Sequence, residues 1–581
     1  MVTIKSGATP PRAPARDDVA ADAARLTTRT AWLSRPAVQR ILSVLVVLGA
    51  WQLIGSHFPY SMSSPKAIVS GAGSSLFSQV FPAFGQTLES FGLGFAISVL
   101  VGVPVGIAMA RIKVIRIAIE PYVLMLYSMP MLALIPILVI VFGISFELRV
   151  TGVVLFGIFA IIVNTFTGAS RVDPALEDVG ISFVASPWKR LTAIIFPGSL
   201  RYIFAGIRIG FGHGMIGAVV IEIEASAAGM GYLLSQYITA LQLGKFFVVV
   251  IVLGIFSIIC SLLIQAAERW CTEPWRREHR LPAAWRERLD PARLVPASLV
   301  PAQAGRTWPG ANAVRLVFRR PGHRFAALLR TPVGPWIVRL VVFCLIIGGW
   351  QLESDHVSQA VLASPSAVAS AFYQVTFINH QIWGPLLNSL ELLLSGWAVA
   401  VGLGIPLGLA MGRFRWFENV TDPYVSFLYA LPHVCFVPLM VVWLGFGFKF
   451  GLAYVVLSAI FPVIINTMQG VKSIDPEYVA AGRSFCASER TIMRTIIIPG
   501  ATPFMVVGAR LAFSVSWIGV IVSEVLSSET GLGGMINTYS NEYLTADMFV
   551  PVLYIAAISV AILQISTRYQ QRLTPWSSVH P

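Results

Sequence analysis

The sequence predicts an all-α polytopic membrane protein made of two tandem, parallel six-helix repeats, twelve spans in all. The chain of 581 residues is 56% hydrophobic and only 12% charged, about half the charged fraction of a soluble protein. Apolar runs long enough to cross a bilayer, roughly 20 residues each, recur along it. The same pattern of residues also returns after 302 positions, as the distance from Asp173 to Asp475 shows.

The repeat is clearest in two stretches, Asp173–Glu222 and Asp475–Glu524, which align without a gap. Each begins as a polar, helix-prone segment, meets a Pro-Gly pair, and continues as an apolar segment that ends at an acid. The matching residues are Asp173-Pro174 and Asp475-Pro476, Pro197 and Pro499, Gly206 and Gly508, Arg208 and Arg510, Glu222 and Glu524, and Gly229-x-Gly231 and Gly531-x-Gly533. Matches at one fixed offset indicate an internal duplication.

The expected spans follow the apolar runs in order. Those of the first half fall near 38–55, 88–110, 121–142, 150–167, a fifth ending at Glu222, and 246–266. Those of the second half fall near 336–352, 390–411, 423–445, 452–468, 502–524 and 549–566. The third span of the first half contains Pro130 and Pro136; in the second half Pro432 and Pro438 could open the helix and expose backbone carbonyls.

These spans define five predicted regions: a disordered cytosolic tail at 1–37, a first transmembrane domain at 38–267, a cytosolic linker at 268–334, a second transmembrane domain at 335–567, and a cytosolic tail at 568–581. The linker holds thirteen arginines against five acids and no apolar run of bilayer length. The alternative for its arginines is a patch that binds membrane lipid or docks a partner.

Lysines and arginines cluster in the loops after spans two, four and six, whereas the other loops contain few. Because basic loops stay inside, both termini and the linker should be cytosolic. An even number of spans inserts both halves the same way up, as a parallel repeat. The net charge of +14 therefore indicates topology and not nucleic-acid binding. The five cysteines are scattered, with no CxxC spacing, so no metal site is expected.

The repeated stretches resemble the EAA loop of binding-protein-dependent ABC importer permeases. The resemblance rests on the runs Ile194–Pro197 and Ile496–Pro499 with the upstream Asp-Pro pairs. The residues Gly508-x-Arg510, Trp517–Glu524 and Gly531-Leu-Gly533 narrow it to the nitrate, sulfonate and taurine subgroup. It covers roughly 40–266 and 336–566. The family's signature acid and glycine fall at Asp178 and Val184 in the first copy and at Ala480 and Cys486 in the second, so only Asp178 keeps the chemistry.

The resemblance implies a fused permease whose loops form short coupling helices that dock on ATPase subunits. The implied partners are two ABC ATPase subunits and an extracytoplasmic solute-binding protein, the implied substrate is a small anion, and the implied location is a bacterial inner membrane. A proline is tolerated in the first turn of a helix, so Pro174 and Pro476 should start the coupling helices, with Asp173 and Asp475 as N-caps. Pro197 and Pro499 should break the chain before span five. The alternative is a surface helix that only connects spans.

No GxxxxGK[ST] motif is present, so the chain should bind no nucleotide by that mechanism and should not be an enzyme. ATP and Mg²⁺ are expected on the partner ATPases, with no cofactor in this chain.

Four residues are candidates for the translocation path: Glu222, Glu524, His213 and His433. Intramembrane acids are costly and usually face a cavity or a partner, but acids at a membrane interface are also solvated or paired with a helix N-terminus. The histidines could instead be packed or hydrogen-bonded. In span five, Gly206 and Gly508 precede Arg208 and Arg510, which could reach lipid headgroups, hold the coupling loop or repel cations. The rival function is a six-plus-six secondary carrier coupled to protons through Glu222, Glu524 or His213.

Overall fold

The computed structural model describes residues 36–58, 62–278, 331, 333–527 and 530–573. Every secondary-structure element within these ranges is helical. Most of the predicted N-terminal tail, most of the predicted linker and the end of the C-terminal tail lie outside the described residues, and α1 begins at Pro36, two residues before the predicted start of the first transmembrane domain.

The described part of the first half contains eleven helices: α1 Pro36–His57, α2 Pro65–Ser75, α3 Phe81–Arg111, α4 Lys113–Ser128, α5 Ile135–Phe142, α6 Phe146–Ser170, α7 Pro174–Ser182, α8 Pro187–Arg190, α9 Phe196–Glu224, α10 Met230–Thr239 and α11 Leu243–Glu278. A 3-10 turn, Met131–Leu134, lies between α4 and α5, and π-helical turns, Leu76–Val80 and Leu191–Ile195, precede α3 and α9. Helix α11 runs past the predicted domain end at 267.

The described part of the second half repeats this order: α12 Gly334–Ser354, α13 Pro365–Tyr373, α14 Trp383–Arg413, α15 Arg415–Ala430, α16 Val437–Leu444, α17 Phe448–Lys472, α18 Pro476–Ser484, α19 Glu489–Ile492, α20 Ile498–Ser527, α21 Gly531–Asn541 and α22 Thr545–Leu573. The corresponding 3-10 turn is His433–Phe436, and the π-helical turns are Gln374–Ile378 and Met493–Ile497.

The predicted spans are present, but the third span of each half is bent and not straight. Among the described residues, ten helices are long and apolar enough to cross a membrane, or twelve if each bent pair counts as one span. The bends are 99° in the first half and 93° in the second. Met129 and Leu431, which precede Pro130 and Pro432, have extended backbone. The proline ring disfavours helical backbone in the residue before it, so the helix ends there.

The prediction that Pro197 and Pro499 break the chain before span five was wrong. Helix runs without interruption from Pro187 to Glu224, and Pro197 lies in the first turn of α9. The wider π-helical turn precedes it, where the N–H of Phe196 donates to the carbonyl of Leu191. A proline removes one N–H and crowds the preceding turn, and a π-helical turn adjusts the register at that point. The π-helical turn Met493–Ile497 precedes Pro499 in the same way, and the N–H of Ile498 donates to the carbonyl of Met493.

In each half the fourth span is central, with α6 packed between α3 and α9, and α17 between α14 and α20. Small residues bring these helices close together. A Cβ added at Gly106 would lie 2.7 Å from the Cβ of Thr165, and one added at Gly408 would lie 2.6 Å from the Cβ of Thr467. Helix pairs in membranes pack through such small residues.

The first span of each half packs against the third span of the other half. Helix α1 of the first half packs on α15 of the second, and α12 packs on α4 of the first. The amide of Asn419 donates to Gln39 Oε1 at 2.9 Å, and Tyr424 Oη lies 3.3 Å from Ser43 Oγ. The α4–α12 contact is apolar, with Ile117 and Val338 buried.

The largest hydrophobic cluster joins both halves at the end of the molecule away from the predicted coupling loops. We call this end the far end. There the short helix α10 packs on α16 of the other half, and α21 packs on α5. The cluster includes Leu234 and Val434, 0% and 1% exposed, which come from different halves. Of the clusters nearer the coupling loops, three lie within one half each, and the small Ile117–Val338 cluster joins the halves. The halves therefore share most of their packed core at the far end.

Candidate coupling loops and buried acids

The two predicted coupling loops, residues 173–197 and 475–499, begin as the sequence predicts. Asp173 Oδ1 accepts from the N–H of Ala175 at 2.8 Å, and Asp475 Oδ1 accepts from the N–H of Glu477 at 2.9 Å. Pro174 and Pro476 occupy the first helical positions. The N-cap prediction is confirmed, because an Asp before a helical proline satisfies the N–H groups that the first turn leaves open.

Helices α7 and α18, the predicted coupling helices, each end at a residue with left-handed backbone, φ 51° at Val184 and φ 53° at Cys486. The next N–H reaches back five residues, from Ala185 to the carbonyl of Gly180 and from Ala487 to that of Gly482. This is a Schellman-type helix end, in which the left-handed position is usually glycine. The geometry explains the glycine that the EAA pattern has at these positions. Here a β-branched valine and a cysteine adopt it at a conformational cost.

The tips of the loops expose large apolar side chains away from the packed core. Phe183 is 81% exposed and Val184 87%, and in the second copy Phe485 is 86% exposed and Tyr478 66%. Asp178, Ala480 and Cys486 are also exposed. Contiguous exposed apolar groups of this kind mark protein interaction surfaces.

Arg111 and Arg413 lie at the end of span two in each half, and they form different contacts with the coupling loops. Arg111 Nη1 pairs with Glu177 Oε1 of coupling helix α7 at 2.5 Å, and its Nη2 donates to the carbonyl of Ala169 at 2.6 Å. Arg413 instead pairs with Glu489, beyond coupling helix α18. Glu489 also accepts from Arg483 of that helix at 3.2 Å. Span two therefore contacts the first coupling helix directly, and the second through one carboxylate.

At the far end, Glu222 and Glu524 are buried, 0% and 4% exposed. Glu222 Oε2 accepts from the N–H of Gly231 and from Thr87 Oγ1, both at 2.9 Å. The same hydroxyl accepts from the N–H of Met230 at 2.8 Å. Glu222 thus satisfies the open N–H groups at the start of the short helix α10, directly and through Thr87, as in the helix-N-terminus alternative.

The second half reproduces this cap. Glu524 Oε2 accepts from the N–H of Gly533 at 2.9 Å, and its Oε1 accepts from Ser389 Oγ at 2.7 Å. Ser389 in turn accepts from the N–H of Leu532 at 2.9 Å. The buried acids do not face solvent, and their place on the translocation path stays a prediction.

Glycines make room for both carboxylates. Gly229 and Gly531 have φ of 99° and 84°, and a Cβ on either would overlap the carboxylate of Glu222 or Glu524. Glycine alone adopts that backbone without strain and lets the acid approach. The repeated Gly-x-Gly pattern is therefore part of the cap.

One difference separates the two caps. Glu222 Oε1 and Arg149 Nη1 are buried and have no hydrogen-bond partner in the described structure, and Arg149 lies close enough to interact electrostatically with Glu222. The equivalent of Arg149 is Gly451, where a Cβ would lie 2.8 Å from the side chain of Leu392. The first half has Ser90 at the position of Leu392. In the second half Leu392 therefore fills the space beside Gly451, whereas in the first half the small Ser90 leaves room for the side chain of Arg149.

The structure places the remaining candidates separately. His433 lies at the bend of span three, with its ring stacked on Phe461 at 5.6 Å and its Nε2 buried without a hydrogen-bond partner in the described structure. The 3-10 turn that carries it packs on α9, the helix that contains His213. Both histidines stay predictions for the path.

The span-five residues have packing roles. Arg208 forms an ion pair with Glu268 of α11. A Cβ at Gly206 would lie 2.9 Å from Asn164 Cβ, and one at Gly508 would lie 3.1 Å from Asn466 Cβ, so both glycines allow close packing on span four. Arg510 is partly buried in α20. Among the described residues, no group of three or more His, Cys, Asp and Glu could hold a metal ion.

Sequence reasoning missed Thr87, Ser389, Arg111 and Glu489 as members of these sites. A signal was present for the hydroxyls, because Thr87-Leu88-Glu89 and Ser389-Leu390-Glu391 repeat at the same offset. It could not be used, because it says nothing about which distant acid the hydroxyl meets.

Comparison with known proteins accounts for both halves. The family model for the binding-protein-dependent transport system inner membrane component matches residues 102–272 and again residues 402–578. An aliphatic sulfonates transport permease of Escherichia coli (strain K12) is 31% identical over 250 residues, covering 42% of this chain and 94% of that protein. The taurine transport system permease of the same strain is 31% identical over 201 residues, covering 34% and 73%.

A nitrate import permease of Leptolyngbya laminosa is 22% identical over 263 residues, covering 44% of this chain and 94% of that protein. Each of these relatives thus aligns to less than half of this chain, as expected for a chain that holds two copies of their fold. The family consists of membrane transport components and not of enzymes. The chain is a multi-pass inner membrane permease that belongs to the binding-protein-dependent transport system inner membrane components, with two copies of the family's domain in one polypeptide.

Proposed function

We propose that this chain supplies the whole translocation path of an importer for a small anion, and that separate subunits supply the ATP hydrolysis. The observation that carries the proposal is the pair of exposed, apolar coupling loops, one in each half. Relatives named for sulfonate, taurine and nitrate transport support the substrate class.

In this proposal each coupling loop docks in a groove of one ATPase subunit, so that one chain recruits two. Phe183 and Phe485 lie at equivalent loop tips and are the most exposed aromatic residues there. An aromatic side chain that enters a partner's pocket contributes strongly to association. ATP and Mg²⁺ belong to those subunits, with no cofactor in the permease.

The coupling loops face the cytosol and the far end faces outward, where the binding protein delivers its solute. The distribution of basic residues supports this orientation, since the loops contain Lys189, Arg190, Arg490 and Arg494. In this orientation both termini and the 268–334 linker lie in the cytosol. The core shared by the halves at the far end corresponds to a closed outer side, with Glu222, Glu524, His213 and His433 as the residues nearest a central path.

The opening movement is transmitted by the ion pairs that connect each coupling loop to span two of the same half. When the ATPase subunits bring the coupling loops together, the Arg111–Glu177 pair and the Arg413–Glu489–Arg483 group pass that displacement to spans two. The helices α10 and α21 separate from α16 and α5, and the outer side opens. The proton-coupled carrier gains no support, because Glu222 and Glu524 are engaged in helix caps.

Native mass spectrometry of the assembled complex tests the subunit count. Two nucleotide-binding subunits per chain are expected, and one or none would contradict the proposal. The variant Cys486→Trp should abolish ATPase activity stimulated by loaded binding protein while leaving assembly of the membrane domain intact, because tight interfaces do not accept added bulk. Val184→Trp is the matched change in the first loop. If Cys486→Trp couples normally, the first loop alone transmits the motion.

The orientation has its own test. A cysteine at Ala302 should resist membrane-impermeant thiol reagents added outside intact cells. A variant without the five native cysteines provides the background, and a cysteine at Lys66 provides the labelled control. Ready labelling at position 302 from outside would reverse the topology.

A further inference from the structure

The far end of the molecule has opposite charge at its two corners. One corner, which we call the basic corner, is formed by α2 and the α10–α11 turn and carries Lys66 and Lys245. These elements are in close contact, since a Cβ at Gly71 would lie 3.1 Å from the backbone nitrogen of Lys245. A cavity of about 400 Å³ opens there, lined by serines and by Lys245.

The equivalent surface of the second half is acidic. Asp547 stands where the first half has Lys245, and Glu542 stands where it has Ala240. Glu353 and Asp355 at the end of α12 are exposed nearby. The hydrogen bond from Thr545 to the carbonyl of Gln359 and the tilted ring contact of Trp350 with Phe549, 5.1 Å between centroids, join these two segments. We call this the acidic corner.

Two more exposed charges lie at the far end, Glu147 in the first turn of α6 and Lys449 at the equivalent position of α17. Each follows the bent span that packs on the short helix of the other half, since α5 packs on α21 and α16 packs on α10.

The remaining charges do not cancel the difference. In the described residues, Glu222 and Glu224 are acids close to the basic corner, and the carboxylate of Glu222 is buried in the α10 cap. Arg149 is half-buried, with its guanidinium over the Phe146 ring at 5.5 Å, and interacts electrostatically with Glu222 of its own half. Glu89 and Glu391 are exposed at equivalent positions and affect both halves alike.

We propose that this polarity fixes a single docking orientation of the extracytoplasmic solute-binding protein. Such proteins have two lobes that close around the ligand. The lobe with an acidic docking surface sits on the basic corner, and the lobe with a basic docking surface sits on the acidic corner. Complementary surface charge steers encounter and selects register, and like charges brought together penalise the reversed pose. A permease assembled from two identical halves would present the same surface to both lobes.

This inference rests on the proposed function, which makes the far end the outer face. The test uses the reconstituted transporter and the binding protein that stimulates its ATPase activity. Lys245→Asp and Asp547→Lys should each weaken the apparent affinity for that protein by about tenfold at low salt, and the difference should largely disappear near 0.5 M salt. Lys245→Arg and Asp547→Glu are the matched controls, which keep the charge and should behave as wild type.

Site-specific crosslinking gives the decisive result. With native cysteines removed, a cysteine at position 245 should crosslink to one lobe of the binding protein only, and a cysteine at 547 to the other lobe only. Crosslinking of each position to both lobes in equal amounts, or charge reversals without effect, would overturn the inference. Wild-type transporter that no binding protein stimulates would instead refute the proposed function.

Discussion

The carboxylate of Glu222 accepts a hydrogen bond from the backbone N–H of Gly231, nine residues along the chain, at 2.9 Å. The same relationship joins Glu524 and Gly533. In both halves an acid near the end of span five therefore holds the start of the short helix that meets the other half at the far end.

Replacing the acid should reveal a structural role. Glu524→Ala leaves the Gly533 N–H and the Ser389 hydroxyl buried without an acceptor, at a cost of about 1–3 kcal/mol for each group. The purified complex should melt at a lower temperature. Glu524→Gln keeps an acceptor for the Gly533 N–H and should be milder in the same thermal-unfolding assay. Equal damage from both variants would mean that the negative charge itself is required.

The cap glycines should tolerate no side chain. Gly531→Ala places a methyl group on the Glu524 carboxylate at a φ of 84°, so the helix start must move or the acid must leave. We expect poor yield of folded protein in size-exclusion chromatography. Gly402→Ala is the control, because nothing lies within 4 Å of its added Cβ. If the two variants fold equally well, the cap is not a constraint.

The left-handed ends of the coupling helices should gain from glycine. Val184→Gly and Cys486→Gly relieve a conformation that costs about 1–3 kcal/mol for non-glycine residues. Hydrogen exchange should slow at the amides of Ala185 and Ala487, which close the helix ends. Val179→Gly, inside α7, is the opposite control and should accelerate exchange by weakening the helix. Faster exchange in Val184→Gly would contradict the assignment.

The ion pairs predict unequal effects on coupling. Glu489→Gln weakens contacts with Arg413 and Arg483 together, whereas Glu177→Gln weakens the single pair with Arg111. Glu489 is 61% exposed and Glu177 is 26% exposed. Exposed pairs contribute roughly 0–1 kcal/mol, so the Glu177 variant should reduce transport per ATP hydrolysed more strongly. The reverse order would show that the relay through Glu489 transmits most of the motion.

Local features of this chain could be predicted, and features that depend on distant partners could not. Apolar runs gave the spans, and Asp-Pro pairs gave the N-caps at Asp173 and Asp475, because each signal lies within a few residues. The caps at Glu222 and Glu524 join residues 135 positions apart. The sequence therefore predicted acids within the membrane, but not the helix starts that these acids cap.

The effect of the prolines on the helices could not be predicted from their neighbours in sequence either. Pro130 and Pro432 bend the chain, because the residue before each one is extended, whereas Pro197 and Pro499 continue a helix that starts upstream. All four remove a backbone donor. Whether the preceding turn widens into a π-helix or opens depends on packing that the local sequence does not contain.

The packing of each first span on the other half imposes an order on synthesis of the protein. Gln39 meets Asn419 across 380 residues of chain, so α1 enters the membrane long before its partner α15 has been translated. Contacts of such long range form late, and until then the polar side chains of α1 lack the partners that they have in the folded protein. A first half expressed alone would keep α1 without its partner and should be degraded rapidly. Fusing the two halves ensures that each partner arrives from the same ribosome.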